Sequence, residues 1–177
     1  WSEGFRPGLL NRPGGASGPD GYTVPFDLDT DDVVNLEAGW KLDLLDRTLR
    51  FNGSVFYVEI ENLQTTIFDP SITNLFFSDN AADAEIFGVE GDFIWNATDN
   101  LTVSGAFSVL DTEITKVITP TNDVRKGDEL AYAPAFQGNL RARYNWYLDS
   151  GITAHIMPHL SYSSKVQSDV IVINNSE

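Results

Sequence analysis

The stretch Val34-Asn35-Leu36-Glu37-Ala38-Gly39-Trp40-Lys41-Leu42-Asp43-Leu44 sorts its residues by parity. Its even positions, Val34, Leu36, Ala38, Trp40, Leu42 and Leu44, are all apolar. The odd ones, Asn35, Glu37, Gly39, Lys41 and Asp43, hold every polar and charged group. Successive side chains of an extended chain point to opposite faces, so this segment reads as a strand with one apolar and one wet side. A helix would scatter both sets around its circumference.

Working outward, the same alternation recurs in Leu49–Tyr57, in Phe87–Trp95 (where Ile94 breaks the polar set), in Leu101–Val109, in Phe136–Trp146 and in Ile152–Tyr162. That predicts roughly six strands. Pro158, inside the last, cannot donate to a ladder and predicts a bulge or the strand's emergence from its membrane. The connections also alternate. Leu45-Asp46-Arg47, Asn96–Asn100 and Leu148–Gly151 are short and turn-like, whereas 7–31, 66–81 and 115–133 are long. Loops of that length are uncommon in compact soluble domains. Pro7 to Gly21 is rich in Gly and Pro and reads as irregular surface chain.

Short turns on one side and long loops on the other are the build of an outer-membrane barrel, the long loops being extracellular. The expected class is therefore all-β: an antiparallel transmembrane β-barrel segment of about six strands with short periplasmic turns. Trp95, Trp146 and Tyr147 fall just before short turns, where an aromatic girdle would lie. Charge runs along the polar face at Glu37, Lys41, Asp43, Arg50, Glu90, Asp92, Arg141 and Arg143. It suits the solvent face of a soluble ligand-binding barrel as well as a wide, wet lumen. The loop asymmetry favours the lumen.

Composition narrows the field further. The net charge of −15, with 11 scattered Lys and Arg, argues against nucleic-acid binding. The absence of cysteine removes disulfides, thiolate metal sites and a Cys nucleophile. No apolar run is long enough for a transmembrane helix, a test that strands escape. The start, Trp1-Ser2-Glu3-Gly4-Phe5-Arg6, has neither a charged n-region nor an apolar h-region, and the expectation is a chain that begins partway through a protein.

Five motifs in order carry a resemblance to TonB-dependent receptor barrels. Ser2-Glu3-Gly4-Phe5-Arg6-Pro7-Gly8 resembles the family's S-x-G-F-R-P strand end, before a variable loop containing Asn11. Asp32–Lys41 is similar to its N-x-E-x-G-x-K strand, and Leu49–Tyr57, running on to Gln64, to its L-x-N-x-x-x-F-Y strand. Asn80–Glu90 resembles N-A-x-x-A-x-x-x-G-V-E, and Gly127-Asp128-Glu129-Leu130 with Ala133-Pro134 resembles G-x-x-L-x-x-A-P. The resemblance reaches to about Tyr147.

The resemblance implies that residues 1–177 are part of one receptor barrel domain, with the plug domain, energy-coupling box and closing C-terminal strand lying elsewhere; the tail Ile173–Glu177 is no closure. About six strands cannot close a barrel of roughly 22. It further implies uptake of a scarce nutrient, a ferric siderophore foremost, across the outer membrane of a Gram-negative bacterium. The implied partners are outer-membrane lipid and TonB, the latter reached through the plug. Glu37, Lys41, Glu90, Arg141 and Arg143 are then lumen- or plug-facing. Phe5, Arg6, Arg12, Tyr22, Phe76 and Phe77 are candidate ligand contacts in the loops. Gly39, Gly53, Gly88, Gly91 and Gly105 would permit bends, bulges or close approach of a packed body. A small passive outer-membrane barrel is the other membrane reading.

Other patterns lead nowhere further. His155 and His159 share a face of a strand but stand about 13 Å apart at that spacing, too far to chelate one ion. Asp27, Asp29 and Asp31 open like a calcium loop, but Asp32 and Ala38 stand where its Gly and Glu belong. Gly14-Gly15 lacks the Gly-Lys-Ser/Thr ending of a phosphate loop. Asn52, Asn96, Asn100 and Asn174 begin glycosylation sequons that a bacterial outer-membrane protein would not use. No nucleophile is paired with a base, so no enzyme and no cofactor is expected. The acidic bias disfavours a strongly anionic ligand on these loops.

Overall fold

A computed structural model describes residues 1–13, 15–121, 124–149 and 151–166. Gly14 of the glycine pair, Ser150 of the last short turn, the Asn174 sequon and the tail 173–177 lie outside the described residues. The fold is one antiparallel sheet of β1 (Ser2–Arg6), β2 (Asp31–Leu44), β3 (Leu49–Ile67), β4 (Phe77–Asn96), β5 (Leu101–Val117), β6 (Phe136–Tyr147), β7 (Thr153–Ile156) and β8 (His159–Ser163). Spatial order follows the chain from β1 to β7, with β8 also on β6, and the sheet is open.

Eight strands thus replace the expected six, for two reasons. The strand end at Ser2–Arg6 pairs fully with Asp31–Asn35 and counts as a strand. The final course is divided at Met157-Pro158 rather than displaced: Tyr144 faces Ile156 and Arg141 faces His159, three steps along each chain. The Pro158 carbonyl still accepts from the Ala142 amide at 3.2 Å. Its ring nitrogen has no hydrogen to return, so the ladder lapses without bulge or slip.

The parity seen in β2 is continuous across the sheet. Trp40, Gly53, Gly91, Phe107, Gly138 and Tyr162 form one cross-strand row of the apolar face. Lys41, Asn52, Asp92, Ala106, Asn139 and Ser161 form the matching row of the polar face. A one-residue slip anywhere would exchange the two faces, so the alternation fixes the register. The glycines serve packing here. A Cβ on Gly53 would stand 2.5 Å from the Trp40 ring, and one on Gly91 or Gly105 would stand 2.9 Å from Phe107 or Phe93. On the opposite face Phe56 covers Gly88. The strands stay regular at these four positions, and each glycine seats a neighbour's aromatic ring instead of making a bend.

β3, β4 and β5 run 19, 20 and 17 residues. A membrane crossing needs only about 9–11. The expected loop 66–81 accordingly shrinks to 68–76, and the loop expected at 115–133 starts later, at 118, and runs to 135. Three register irregularities fall at one level: Glu61-Asn62 opposite Asp83, Ala81 opposite Leu63-Gln64, and Thr115 opposite Asp83-Ala84. Asn62 takes φ 55° there, a conformation its short amide tolerates.

That level separates a wall from a cap. Below it, Leu36, Phe87, Val109, Leu140 and Leu160 leave the apolar face bare. Near the short turns Trp95, Trp146 and Tyr147 are exposed, and Tyr144 and Trp146 rings meet at 4.9 Å. Just above Tyr57 and Phe87 the same parity turns acidic, with Glu59, Glu85 and Glu113 in register. The buried apolar cluster of the described residues (Val24, Ile67, Ile72, Phe77, Ala81, Ala82, Ile114 and Val124) lies wholly at the long-loop end.

Candidate functional site in the loop cap

Residues 7–30 form a doubled-back arm where irregular chain was expected. Backbone bonds join Leu28 to Leu9 (2.9 Å) and, at 2.8 Å each, Asn11 to Phe26, Val24 to Ala16 and Gly18 to Tyr22. The tip is the turn Pro19–Gly21, where Asp20 and Gly21 have φ 53° and 79°. At the arm's base Gly8 is required, because any side chain there would run into the Leu28 carbonyl.

Polar groups fasten this arm to the strands, and the buried ones among them, Gln64, Asp69 and Asp79, must be partnered. The Asn11 amide donates to the carbonyls of Pro25 and Ser78, each at 2.7 Å, and accepts from the Ser78 N–H at 2.9 Å. Asp29 and Asn80 exchange two bonds of 2.9 Å. Gln64 donates to the Pro7 and Asp29 carbonyls at 3.1 Å. Asp79 is the node: its carboxylate accepts from Tyr22, from the Thr119 hydroxyl at 2.6 Å and from the Asn80 N–H at 2.9 Å. It therefore ties the arm and the 118–135 loop to β4. Asp69 binds Ser71 and, at 2.9 Å, the Thr121 hydroxyl, joining the 68–76 loop to the same body. Burial, then the hydrogen bond to Asp79 and its negative charge, push the Tyr22 phenol well above its ordinary pKa.

Between the arm and the start of β4 lies a cavity of about 490 Å³. It brings together three of the six predicted contacts, Arg12, Phe76 and Phe77, and adds Leu10, Leu75 and Thr73. Phe77 is a buried wall, and Phe76 is exposed but braced on Phe68 with ring centres 5.0 Å apart. The other three stand elsewhere. Tyr22 packs behind Phe77 at 6.5 Å, Arg6 is paired with Asp31 and donates to the Gln64 carbonyl at 2.7 Å, and Phe5 is exposed on β1.

On the polar face Glu37, Lys41 and Glu90 meet along one shallow groove of about 710 Å³ with Asn52 and Asp92. Cross-strand bonds hold it: Asn52 to Asp92 at 3.1 Å and Ser54 to Glu90 at 3.2 Å. Arg141 and Arg143 are on β6, two strands from Glu90, in register with His159 and Thr102. Asn11 and Gln64 fall within the motif stretches but carry no predicted role, and Asp79 is not among the residues named from the sequence. Their polar neighbours Arg12, Thr65, Ser78 and Asn80 leave none of them standing out in the sequence.

The family pattern described as TonB dependent receptor-like, beta-barrel matches residues 1–175. This chain belongs to the TonB-dependent receptor family. Membership sets aside the soluble ligand-binding barrel and the small passive barrel. Among individual relatives, the metal-pseudopaline receptor CntO of Pseudomonas aeruginosa is 30% identical over 119 residues, 67% of this chain and 16% of that protein. The same figures hold for a second strain of that species.

Three solved receptor structures share the fold. The ferric preacinetobactin receptor BauA of Acinetobacter baumannii has TM-score 0.61 at 19% identity, covering 96% of this chain and 24% of that one. The ferric yersiniabactin uptake receptor FyuA of Yersinia pestis gives 0.59 at 15%, covering 90% and 22%. The siderophore receptor PiuA of Acinetobacter baumannii gives 0.58 at 24%, covering 81% and 20%. The chain thus spans less than a quarter of each relative's length.

Proposed function

We propose that residues 1–177 are part of the barrel domain of an outer-membrane receptor that imports a scarce metal chelate, a ferric siderophore foremost, with energy relayed from TonB through a plug domain outside this segment. The observation that carries this reading is the division of the sheet. A bare apolar face of membrane-spanning height is backed by a charged face and closed at one end by a built, polar-pinned cap. A soluble sheet would cover the apolar face. Lipid covers it here, while Glu37, Lys41, Glu90, Arg141 and Arg143 face the lumen and its plug. The cap is extracellular and meets the cargo first, with Arg12, Phe76 and Phe77 at the contact. The likeness to a metal-pseudopaline receptor supports a chelated metal as cargo.

The test is metal-limited growth of the parent bacterium with and without the gene, fed single metal chelates. The expected result is loss of growth on one chelate, reproduced by deleting the TonB gene or collapsing the proton gradient. Uptake that persists without TonB would overturn the active-receptor reading.

A further inference from the structure

We propose that the cavity between the 7–30 arm and the start of β4 selects an amphipathic monoanion, a single carboxylate carried on an aryl or branched apolar body, with Arg12 as its counter-charge. This rests on the receptor reading only in taking the cap to face the medium from which ligand arrives.

The first argument is local charge. The chain holds 26 Asp and Glu against 11 Lys and Arg, yet no described residue lining this cavity is acidic, and one, Arg12, is cationic. The ion pairs of the described residues engage Arg6, Arg50 and Lys116 and leave Arg12 unclaimed. A guanidinium offers a planar fork that matches a carboxylate with two parallel hydrogen bonds.

The second argument is the wall. Leu10, Val24, Leu75, Phe76 and Phe77 supply apolar surface, and Thr66, Thr73 and Ser78 supply a few neutral polar groups. The volume of about 490 Å³ is that of a small-molecule site. The site is also built in advance of any ligand. Asn11, beside Arg12, is held by three hydrogen bonds to Pro25 and Ser78, and Phe76 leans on Phe68. Preorganisation of this kind lowers the ordering cost of binding.

The third argument limits the charge to one. Outside the lining, the arm carries the exposed carboxylates of Asp27, bridged to the lining residue Leu10, and Asp29, and the strands beneath carry Glu59, Glu85 and Glu113 in register. A polyanion would place its further charges in that field, where like charges repel. A single carboxylate neutralised by Arg12 escapes it.

The experiment uses the full-length receptor in lipid nanodiscs, titrated calorimetrically with biphenyl-4-carboxylate, biphenyl-4-carboxamide and citrate, with empty nanodiscs as blank. The expected result is carboxylate bound at least about tenfold more tightly than its neutral amide, as one charge-assisted pair would give, and citrate weakest of the three. Arg12→Gln should erase the carboxylate–amide difference, and Arg12→Lys should retain part of it. Phe76→Ala, at an exposed position, should weaken carboxylate and amide by the same factor. Equal affinity of the two in the unaltered protein, an unchanged preference in Arg12→Gln, or signal matching the empty discs would each overturn the proposal. TonB-dependent uptake is read separately in cells. Loss of the preference with uptake intact defeats the pocket alone, and a preserved preference without energy-dependent uptake defeats the receptor reading alone.

Discussion

Replacing Tyr22 by Phe removes one hydroxyl and leaves the ring against Phe77. The Asp79 carboxylate then keeps its bonds from Thr119 and the Asn80 N–H and is not stranded. A hydrogen bond to a charged group contributes about 1.5–3 kcal/mol, and with two donors remaining the lower end applies, near 1.5 kcal/mol. Release of the arm should become roughly tenfold more favourable. The segment has no cysteine, so a spin label on Ser17→Cys, an exposed arm position, reports docking by its line shape.

The same bond makes docking depend on pH, and the sign follows from where the proton is held. Docked Tyr22 has a raised pKa, caused first by burial and then by Asp79. Released Tyr22 should titrate near 10, the ordinary tyrosine value. Below pH 10 both states are protonated and the contribution is complete. Above it only the released arm ionises, so docking weakens by about 1.4 kcal/mol per pH unit. Expected, then, is a mobile spectral component in labelled wild type that grows from pH 10 upward and appears at lower urea concentration with each step. In Tyr22→Phe the mobile component should be larger at pH 8 and should lack this slope. Parallel pH profiles in the two proteins, or no difference at pH 8, would refute the role given to the Tyr22–Asp79 bond.

Further outcomes concern the pocket and the wall. Asn11→Ala deletes three hydrogen bonds at the cavity edge and leaves the Ser78 groups short of partners. A loss of about 2–3 kcal/mol in arm docking is expected by the same label, with weaker biphenyl-4-carboxylate binding. Gly53→Ala must displace both the Trp40 ring and the Glu90 carbonyl, which a Cβ would meet at 2.5 and 2.9 Å. It should lower wall stability by about 1–3 kcal/mol in urea unfolding monitored by gel mobility. Val109→Arg on the apolar face should cost about 2–4 kcal/mol in bilayer refolding, whereas Ser108→Arg on the polar face should be nearly silent. Similar costs at the two positions would contradict the assignment of faces.

How far the sequence could be read depended on which physical pattern each part obeys. In the wall one rule governs every residue: side chains alternate, and the apolar set faces one way. Val34–Leu44 and its neighbours state that rule openly, so the wall's strands and faces were legible. Above the three bulges the rule fails. Asp79 holds a buried position, and Asn62 at φ 55° lies in a bulge opposite Asp83. Alternation therefore could not show how far β3, β4 and β5 continue, and their ends at 66–67, 77–81 and 115–117 read as loop. The arm was illegible for a related reason. Its order comes from Asn11, Gln64 and Asp79 bonding to residues far along the chain, and polar pins leave no periodic trace.

The ligand question turns on the same distinction between average and place. A net charge of −15 argues against anionic cargo only if charge is spread evenly over the loops. It is not spread evenly. Asp69 and Asp79 are buried and bound to hydroxyls, and Glu59, Glu85 and Glu113 lie on the strands below the cap. The described cavity lining is left with Arg12 as its one formal charge. Screening confines exposed charges to about 8 Å at physiological salt, so a ligand seated there senses Arg12 first, the arm's Asp27, bridged to the lining residue Leu10, next, and the acidic strands below least. Lowering the salt lengthens that reach and should reduce carboxylate selectivity, although a bare ion pair would gain from it. A preference that rises as salt falls would mean that Arg12 acts alone and that the acidic surround sets no limit on charge.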